Sequence, residues 1–235
     1  MKIIDGHVFL RKTIYMEQSP ECLIAKMDRL GVDISVVVAP PPGPFYQDAN
    51  NFVLEAVQKH PKRLAALYRA NPHLKGEADR VRAALTEQGF AGLQLDPTNN
   101  GYGVSSPIVN SLISLAGEQG MPVYIHSGDS IFCPPEYVAD LAARFEAVNF
   151  VTTMSARAPR AAKALNNLFL MSHPFPVLEF QRGHAEEFDL DRLIFASGSP
   201  IGSLEVEMKA VELAGLESFT REKILGENLQ RIMNI

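Results

Sequence analysis

The sequence predicts an α/β chain folded as one (β/α)8 TIM barrel over residues 1–235, on three observations. Eight short apolar runs alternate with stretches of helical spacing, the pattern of parallel strands joined by crossover helices. The length suits a single barrel, and no linker or low-complexity segment divides the chain. The turn after the first run lacks a dinucleotide-binding glycine fingerprint, and no phosphate loop ending in Lys-Ser or Lys-Thr occurs, which counts against an open doubly wound sheet.

The first strand is expected over residues 2–9 and carries Asp5 and His7. Ser19-Pro20 places a cap and an N-terminal proline at the start of a helix that ends at Gly31. The β-branched run 34–39 is the second strand. The Pro-rich segment 40–44 cannot continue it and should lie over a strand end, with Phe45 and Tyr46 as cover. A helix over 48–60 stops before Pro61, and a third strand over 64–68 leads into Arg69. A helix over 75–88 is closed by Gly89, and a fourth strand over 92–97 ends at Asp96. After an Asn/Gly-rich loop at 98–104, a helix over 106–119 precedes the fifth strand, Pro122-Val123-Tyr124-Ile125-His126-Ser127-Gly128. Helices at 134–145 and up to 164 flank a sixth strand at 149–154. A seventh strand at 167–173, a helix at 177–188 with His184, an eighth strand at 192–200 and helices at 204–214 and 221–235 complete the series.

A net charge of −5, a pI near 5.7 and the lack of a basic run argue against nucleic acid or an anionic membrane surface as partner. The start of the chain does not read as a leader and no run reaches membrane-spanning length, so a cytoplasmic location is expected. Cys22 and Cys133 have neither metal-ligand spacing nor a disulfide framework and read as plain buried or half-buried thiols. A small-molecule substrate or ligand is the expected partner, and a homodimer is the general prior for soluble proteins.

In such a barrel the active site lies at the C-terminal strand ends, which gathers His7, Arg69, Asp96, His126, Asp129, Ser172, His173, Ser197 and Ser199. Ordered motifs along nearly the whole chain carry a family resemblance. They are Ile3-Ile4-Asp5-Gly6-His7, Gly31-Val32-Asp33-Ile34, His60-Pro61-Lys62-Arg63-Leu64, Gly89-Phe90-Ala91-Gly92-Leu93-Gln94-Leu95, Gly120-Met121-Pro122-Val123-Tyr124-Ile125-His126, and Lys223-Ile224-Leu225-Gly226-Glu227-Asn228. The chain resembles amidohydrolase-related proteins of the amidohydrolase 2 type. That resemblance implies a (β/α)8 hydrolase or decarboxylase of small, often aromatic, acids, built around a divalent metal.

The same resemblance exposes departures at the metal-binding positions. The family's first strand ends in His-X-His, placing two imidazoles on one side of a strand; here the second is Phe9. The eighth-strand aspartate corresponds to Gly198, and the sixth-strand acid/base histidine to Thr153 or Met154. His7 and His126 alone remain. No cofactor is therefore expected; the alternative is zinc or another divalent metal on His7 and His126, with Asp96, Asp129 or His173 as substitute ligand.

His126 and Asp96 are the catalytic candidates, as acid/base groups or with Asp96 orienting His126. Arg69, His7, Ser172, His173 and Ser197 are the substrate-binding candidates. Structural readings stand beside these: a retained His126 satisfied by a carboxylate, Arg69 paired with Asp96, His7 as a structural partner, and His173 as a loop residue. His60, His73 and His184 read as helix-end or surface residues, and no serine or cysteine sits in a nucleophile-elbow context. Three functions follow: a metal-independent hydrolase or lyase of a small carboxylate, ester or lactone; an inactive barrel binding a small ligand or protein partner; and a metal-dependent hydrolase with substituted ligands.

Overall fold

The computed structural model describes all residues except 13–16, 42–47, 129, 175–187 and 234, and the side chain of Lys12. Eight parallel strands follow one another in sequence order: β1 (Ile4–Phe9), β2 (Ile34–Val38), β3 (Leu64–Ala70), β4 (Gly92–Leu95), β5 (Val123–Ile125), β6 (Phe150–Thr153), β7 (Leu168–Met171) and β8 (Leu193–Ile194). The predicted barrel is thus observed. Its last seam, between β8 and β1, is held by Gly6 N–H to Phe195 O at 2.8 Å, Gly198 N–H to His7 O at 3.0 Å and Phe9 N–H to Ser199 O at 2.8 Å. Residue 6 must be glycine for this closure, since a Cβ there would meet Ile194 Cγ2 at 2.6 Å and Phe195 O at 2.9 Å.

That seam explains the main difference from the expected strands. The eighth was expected over 192–200, yet regular pairing stops at Ile194, because β1 bulges between Asp5 and Val8 and Gly198 turns into the left-handed region at φ 60°. Residues 195–199 still bond to β1, but irregularly.

Helices cover the outside. In α1 (Pro20–Leu30) the Ser19 side chain accepts from Cys22 N–H at 3.1 Å, and Leu23 and Met27 face the sheet; Cys22 itself is exposed, correcting the expected buried thiol. α2 (Ala49–Lys59) and α4 (Asn110–Glu118) are slightly shorter than expected. α3 (Glu77–Ala83) widens into a π-helical turn at Ala84–Gln88, and the expected loop after β4 begins with a helical turn, Pro97–Asn100, capped by the Asp96 side chain. α5 (Pro135–Arg144), α6 (Ala158–Ala162), α7 (Leu204–Leu213) and α8 (Ser218–Glu222) follow, and the chain closes with a π-turn at Lys223–Glu227 and a turn at Asn228–Gln230 instead of one long helix. A small antiparallel ribbon, Arg11–Lys12 with Glu17–Gln18, was not foreseen. The expected helix at 177–188 with His184, except for Phe188, and Phe45 and Tyr46 lie outside the described residues. Among the described residues, no helix is long and apolar enough to cross a membrane.

Strand alternation sorts the core into two layers. Outward side chains such as Val37, Leu93 and Phe150 pack under the helices. Inward ones, including Ile4, Val36, Leu67, Tyr124, Val151, Phe169 and Ile194, fill the barrel, and Leu229, Ile232 and Met233 join them. This apolar filling makes the lower barrel a packed core and leaves the opposite end for polar groups.

Candidate functional site at the C-terminal strand ends

The same alternation builds the site. Stepping by two from the inward residues Tyr124, Val151, Met171 and Ala196 reaches His126, Thr153, His173 and Gly198, so these four share the top layer of the barrel. His7 and Phe9 enter it from β1 and Arg69 from β3. From β4, Gln94 lies one step below Asp96.

His7 and His126 meet: their Nε2 atoms are 3.1 Å apart, so one donates to the other. His7 is fully buried and His126 half-buried. The Phe9 ring stands nearly perpendicular to both, 4.9 Å from His7 and 5.8 Å from His126 between centroids. Burial pushes the His7 pKa well below 6.5, and the neighbouring His126, His173 and Arg69 push the same way, while the polar side chain of Gln94 opposes them. Burial, then the Arg69 charge and His173, lowers His126 to about 3. Both rings are therefore neutral at physiological pH, and the pair needs only one shared N–H.

His173 reaches the site through its neighbour's lack of a side chain. A Cβ on Gly198 would stand 2.5 Å from His173 Cδ2 and Cε1, so the imidazole lies directly on the Gly198 backbone. Burial lowers its pKa as well. His173 stands in the turn after β7, with its ring at the top of the barrel.

Arg69 and Asp96 form a buried ion pair. Arg69 Nη2 donates to Asp96 Oδ2 and Nη1 to Ala39 O at 3.2 Å. The Asp96 carboxylate also accepts from Asn99 N–H at 3.2 Å and Asn99 Nδ2 at 2.7 Å. Its contacts thus go to Arg69 and the following turn, in place of the expected one to His126. Arg69 in turn is committed to a partner inside the protein instead of presenting a free fork.

The hydroxyls expected to line the pocket are likewise spent internally. Ser197 Oγ donates to Asp5 Oδ2 at 2.5 Å, and Ser172 Oγ donates to Ala196 O at 3.2 Å while accepting from Ala196 N–H at 3.0 Å. Ser199 Oγ donates to Gln18 Oε1 at 2.9 Å. All three are buried, and the bonds of Ser172 and Ser197 tie neighbouring strands together. Thr153 Oγ1 donates to Ser127 O at 2.5 Å and accepts from Ser127 N–H at 2.9 Å, fixing the end of β5. Among the described residues Asp5 receives Ser197 but no cation, and burial raises it to about 6 against those bonds. Asp129 lies outside the described residues. His60 and His73 take no part in the site.

A divalent ion fits this donor set poorly. Two nitrogens 3.1 Å apart could face one ion by distance alone. The remaining positions do not follow: Phe9 offers a phenyl edge, position 198 has no side chain and its space holds His173, Asp96 is engaged by Arg69, and the Arg69 cation adds repulsion. Among the described residues, no three His, Cys, Asp or Glu side chains form a group suited to a metal. The residues present do not reproduce the ligand set that the resemblance implies.

Sequence reasoning located His7, His126 and the Arg69–Asp96 alternative pairing, but missed Gln94 and the Gly198 seat of His173. Period-two stepping down from Asp96 and His126 was the available signal.

Comparison with known proteins agrees with this architecture. Residues 25–233 match the family model described as amidohydrolase. Curated protein sequences give no match. Among solved structures, 5-carboxyvanillate decarboxylase from Sphingomonas paucimobilis superposes with a TM-score of 0.80 at 14% identity, over 100% of this chain and 99% of that one. A probable 2-pyrone-4,6-dicarboxylic acid hydrolase from Acinetobacter baumannii, with citric acid bound, gives 0.77 at 17% identity over all of both chains. The 5-carboxyvanillate decarboxylase of Novosphingobium aromaticivorans, complexed with manganese and a nitrobenzoic acid, gives 0.79 at 14% identity over 100% and 96%. At these identities the structural likenesses speak to fold, whereas the sequence model spans most of the chain: it belongs to the amidohydrolase family.

Proposed function

We propose that the chain is a hydrolase, or a related lyase, that acts on a small carboxylate, ester or lactone without the family's metal. One observation carries the reading: a neutral His126 is held by His7 at the barrel mouth while Phe9 and His173 fill the places of further ligands. His126 is the proton-transfer group. The Arg69–Asp96 pair acts as a polar wall beside it, with Arg69 lowering the pKa of His126. A lactone suits this site best, because a strained ester needs less electrophilic activation than an amide. Hydrolase and decarboxylase neighbours whose names specify small carboxylic acids support that substrate class.

The test is a panel of lactones, esters and aromatic carboxylic acids assayed with and without a strong chelator. The expected result is turnover that survives chelation and is lost in His126→Ala. Unchanged turnover in both His126→Ala and Asp96→Ala would remove the acid/base assignment, and loss on chelation would favour the metal-dependent reading, which the manganese-bound neighbour supports. A second reading, a barrel that binds a small ligand without turnover, draws on the internal commitment of Arg69, Ser172 and Ser197. Its mark is thermal stabilisation by a panel member that is recovered unchanged.

A further inference from the structure

One buried amide bridges the backbone of Phe9 and that of Ser199, the residue next to Gly198. Gln18, on the ribbon that follows β1, is 1% exposed. Its Nε2 donates to Phe9 O at 2.9 Å and, more weakly, to Ser199 O at 3.4 Å. Its Oε1 accepts from Ser199 Oγ at 2.9 Å and from Lys26 Nζ of α1 at 3.2 Å. An ammonium only donates and a carbonyl only accepts, so these partners allow a single orientation of the amide. The side chain thus joins the ribbon, the end of β1, the turn after β8 and α1.

The junction lies where the β8–β1 seam runs out of donors. Phe9 N–H still reaches Ser199 O at 2.8 Å, but the chain beyond offers nothing to Phe9 O: Pro200 has no N–H, and Ile201 N–H turns back to Gly198 O at 3.1 Å. Gln18 Nε2 takes the place of the missing ladder donor. Both residues it holds matter to the site, because Phe9 carries the ring that packs against His7 and His126, and Ser199 follows the Gly198 backbone on which the His173 ring lies. We infer that Gln18 is a positioning residue for the imidazole pair, fixing the Phe9 ring and the Gly198 seat of His173 around His126. This rests on the reading of His126 as the proton-transfer group. Among the described residues, none of the Gln18 hydrogen bonds goes to a histidine. On the other strand of the ribbon, the Arg11 guanidinium lies 5.8 Å from the Phe52 ring of α2, which anchors the ribbon that carries Gln18.

Histidine Cε1–H signals read this without a substrate, since a phenyl ring 5.8 Å from His126 displaces its signal and a moved ring displaces it differently. With the signals assigned by His7→Gln and His126→Gln, Phe9→Leu marks where they fall without the ring. Gln18→Met keeps the length of the side chain and loses its hydrogen bonds. It should move the His7 and His126 signals towards their Phe9→Leu positions, move His173 as well, and leave His60 in place. Gln18→Glu keeps the acceptor for Lys26 and Ser199 and loses the donor to Phe9, so it should move His7 and His126 in the same direction by less. Site signals that coincide with wild type in both variants would overturn the positioning role, as would a shift of His60 as large as that of His126. In the wild-type protein the Gln18 side-chain amide hydrogens should exchange far more slowly than those of exposed Gln58; equal exchange would overturn the bridge even if neither variant folds. Shifted site signals with no turnover in any assay would count against the hydrolase reading alone. With a substrate in hand, Gln18→Met should lower kcat about tenfold with KM little changed, and an unchanged kcat would overturn the role in the reaction.

Discussion

Phe9 and Gly198 stand at two positions where the family resemblance implies metal ligands, and the space at each is filled in an opposite way. At position 9 the phenyl ring fills its own space and packs against the imidazoles of His7 and His126. At position 198 there is no side chain, and the ring of His173, from the adjacent strand end, lies on the bare backbone. The first change is local and in principle reversible by one substitution. The second couples two strand ends, so reversing it requires evicting His173. A position filled by its own side chain and one covered by a neighbour therefore present different obstacles to a ligand introduced there.

The largest effect should come from Gly198→Asp. A Cβ 2.5 Å from the His173 ring, on backbone at φ 60°, combines overpacking with a left-handed conformation, and together these should cost about 3–5 kcal/mol in denaturant unfolding. His173→Gly in the same chain should recover about 1–3 kcal/mol of it. Equal stability of the single and double variants would break the contrast between the two positions.

Asp5, bonded to Ser197 beside Gly198, offers a pH test of the same seam. Its folded pKa of about 6 lies above the ordinary 3.8, so the native state holds the proton more tightly. The stability it adds is complete below about pH 4, falls as pH rises through 6, and is absent above; two units correspond to about 3 kcal/mol at most. Relative to wild type, Asp5→Asn should gain stability between pH 4.5 and 7.5, measured from urea midpoints. A pH-independent difference would show that the carboxyl is not desolvated as described.

Phe9→His should be milder, about 1–3 kcal/mol for a polar ring in an apolar layer. Its sharper readout is metal: a third imidazole beside His7 and His126 should raise zinc affinity measurably by calorimetry, whereas Gly198→Asp alone should not. The smallest effect concerns His126 in the unaltered protein. Its pKa near 3 places the acid limb of kcat/KM far below 6.5, so the profile should stay flat from pH 7 down to 5. A limb near 6.5 would mean a solvated His126.

The barrel was legible because alternation of strand-like and helical runs, Ser19-Pro20, Gly31 and Gly89 are local signals that survive without tertiary information. The departures from the pattern the resemblance implies were legible too, since Phe9 and Gly198 are visible in the chain itself. What filled them was not. The Gly198–His173 contact joins strands 25 positions apart through the stagger of β7 and β8, and the pairing of Arg69 with Asp96 over a free Arg69 depended on a distance that residue types do not encode. Serines at strand ends looked like ligand contacts, yet at an irregular seam their hydroxyls substitute for missing ladder bonds, as Ser172 does with Ala196.

The central claim is that this site works as an imidazole pair and not as a metal centre. Elemental analysis of protein purified without chelator, repeated after incubation with zinc or manganese and gel filtration, tests it most directly. The account predicts substoichiometric metal in both samples, with Phe9→His retaining more than wild type. Stoichiometric zinc or manganese on the wild-type chain, lost in His126→Ala, would contradict it.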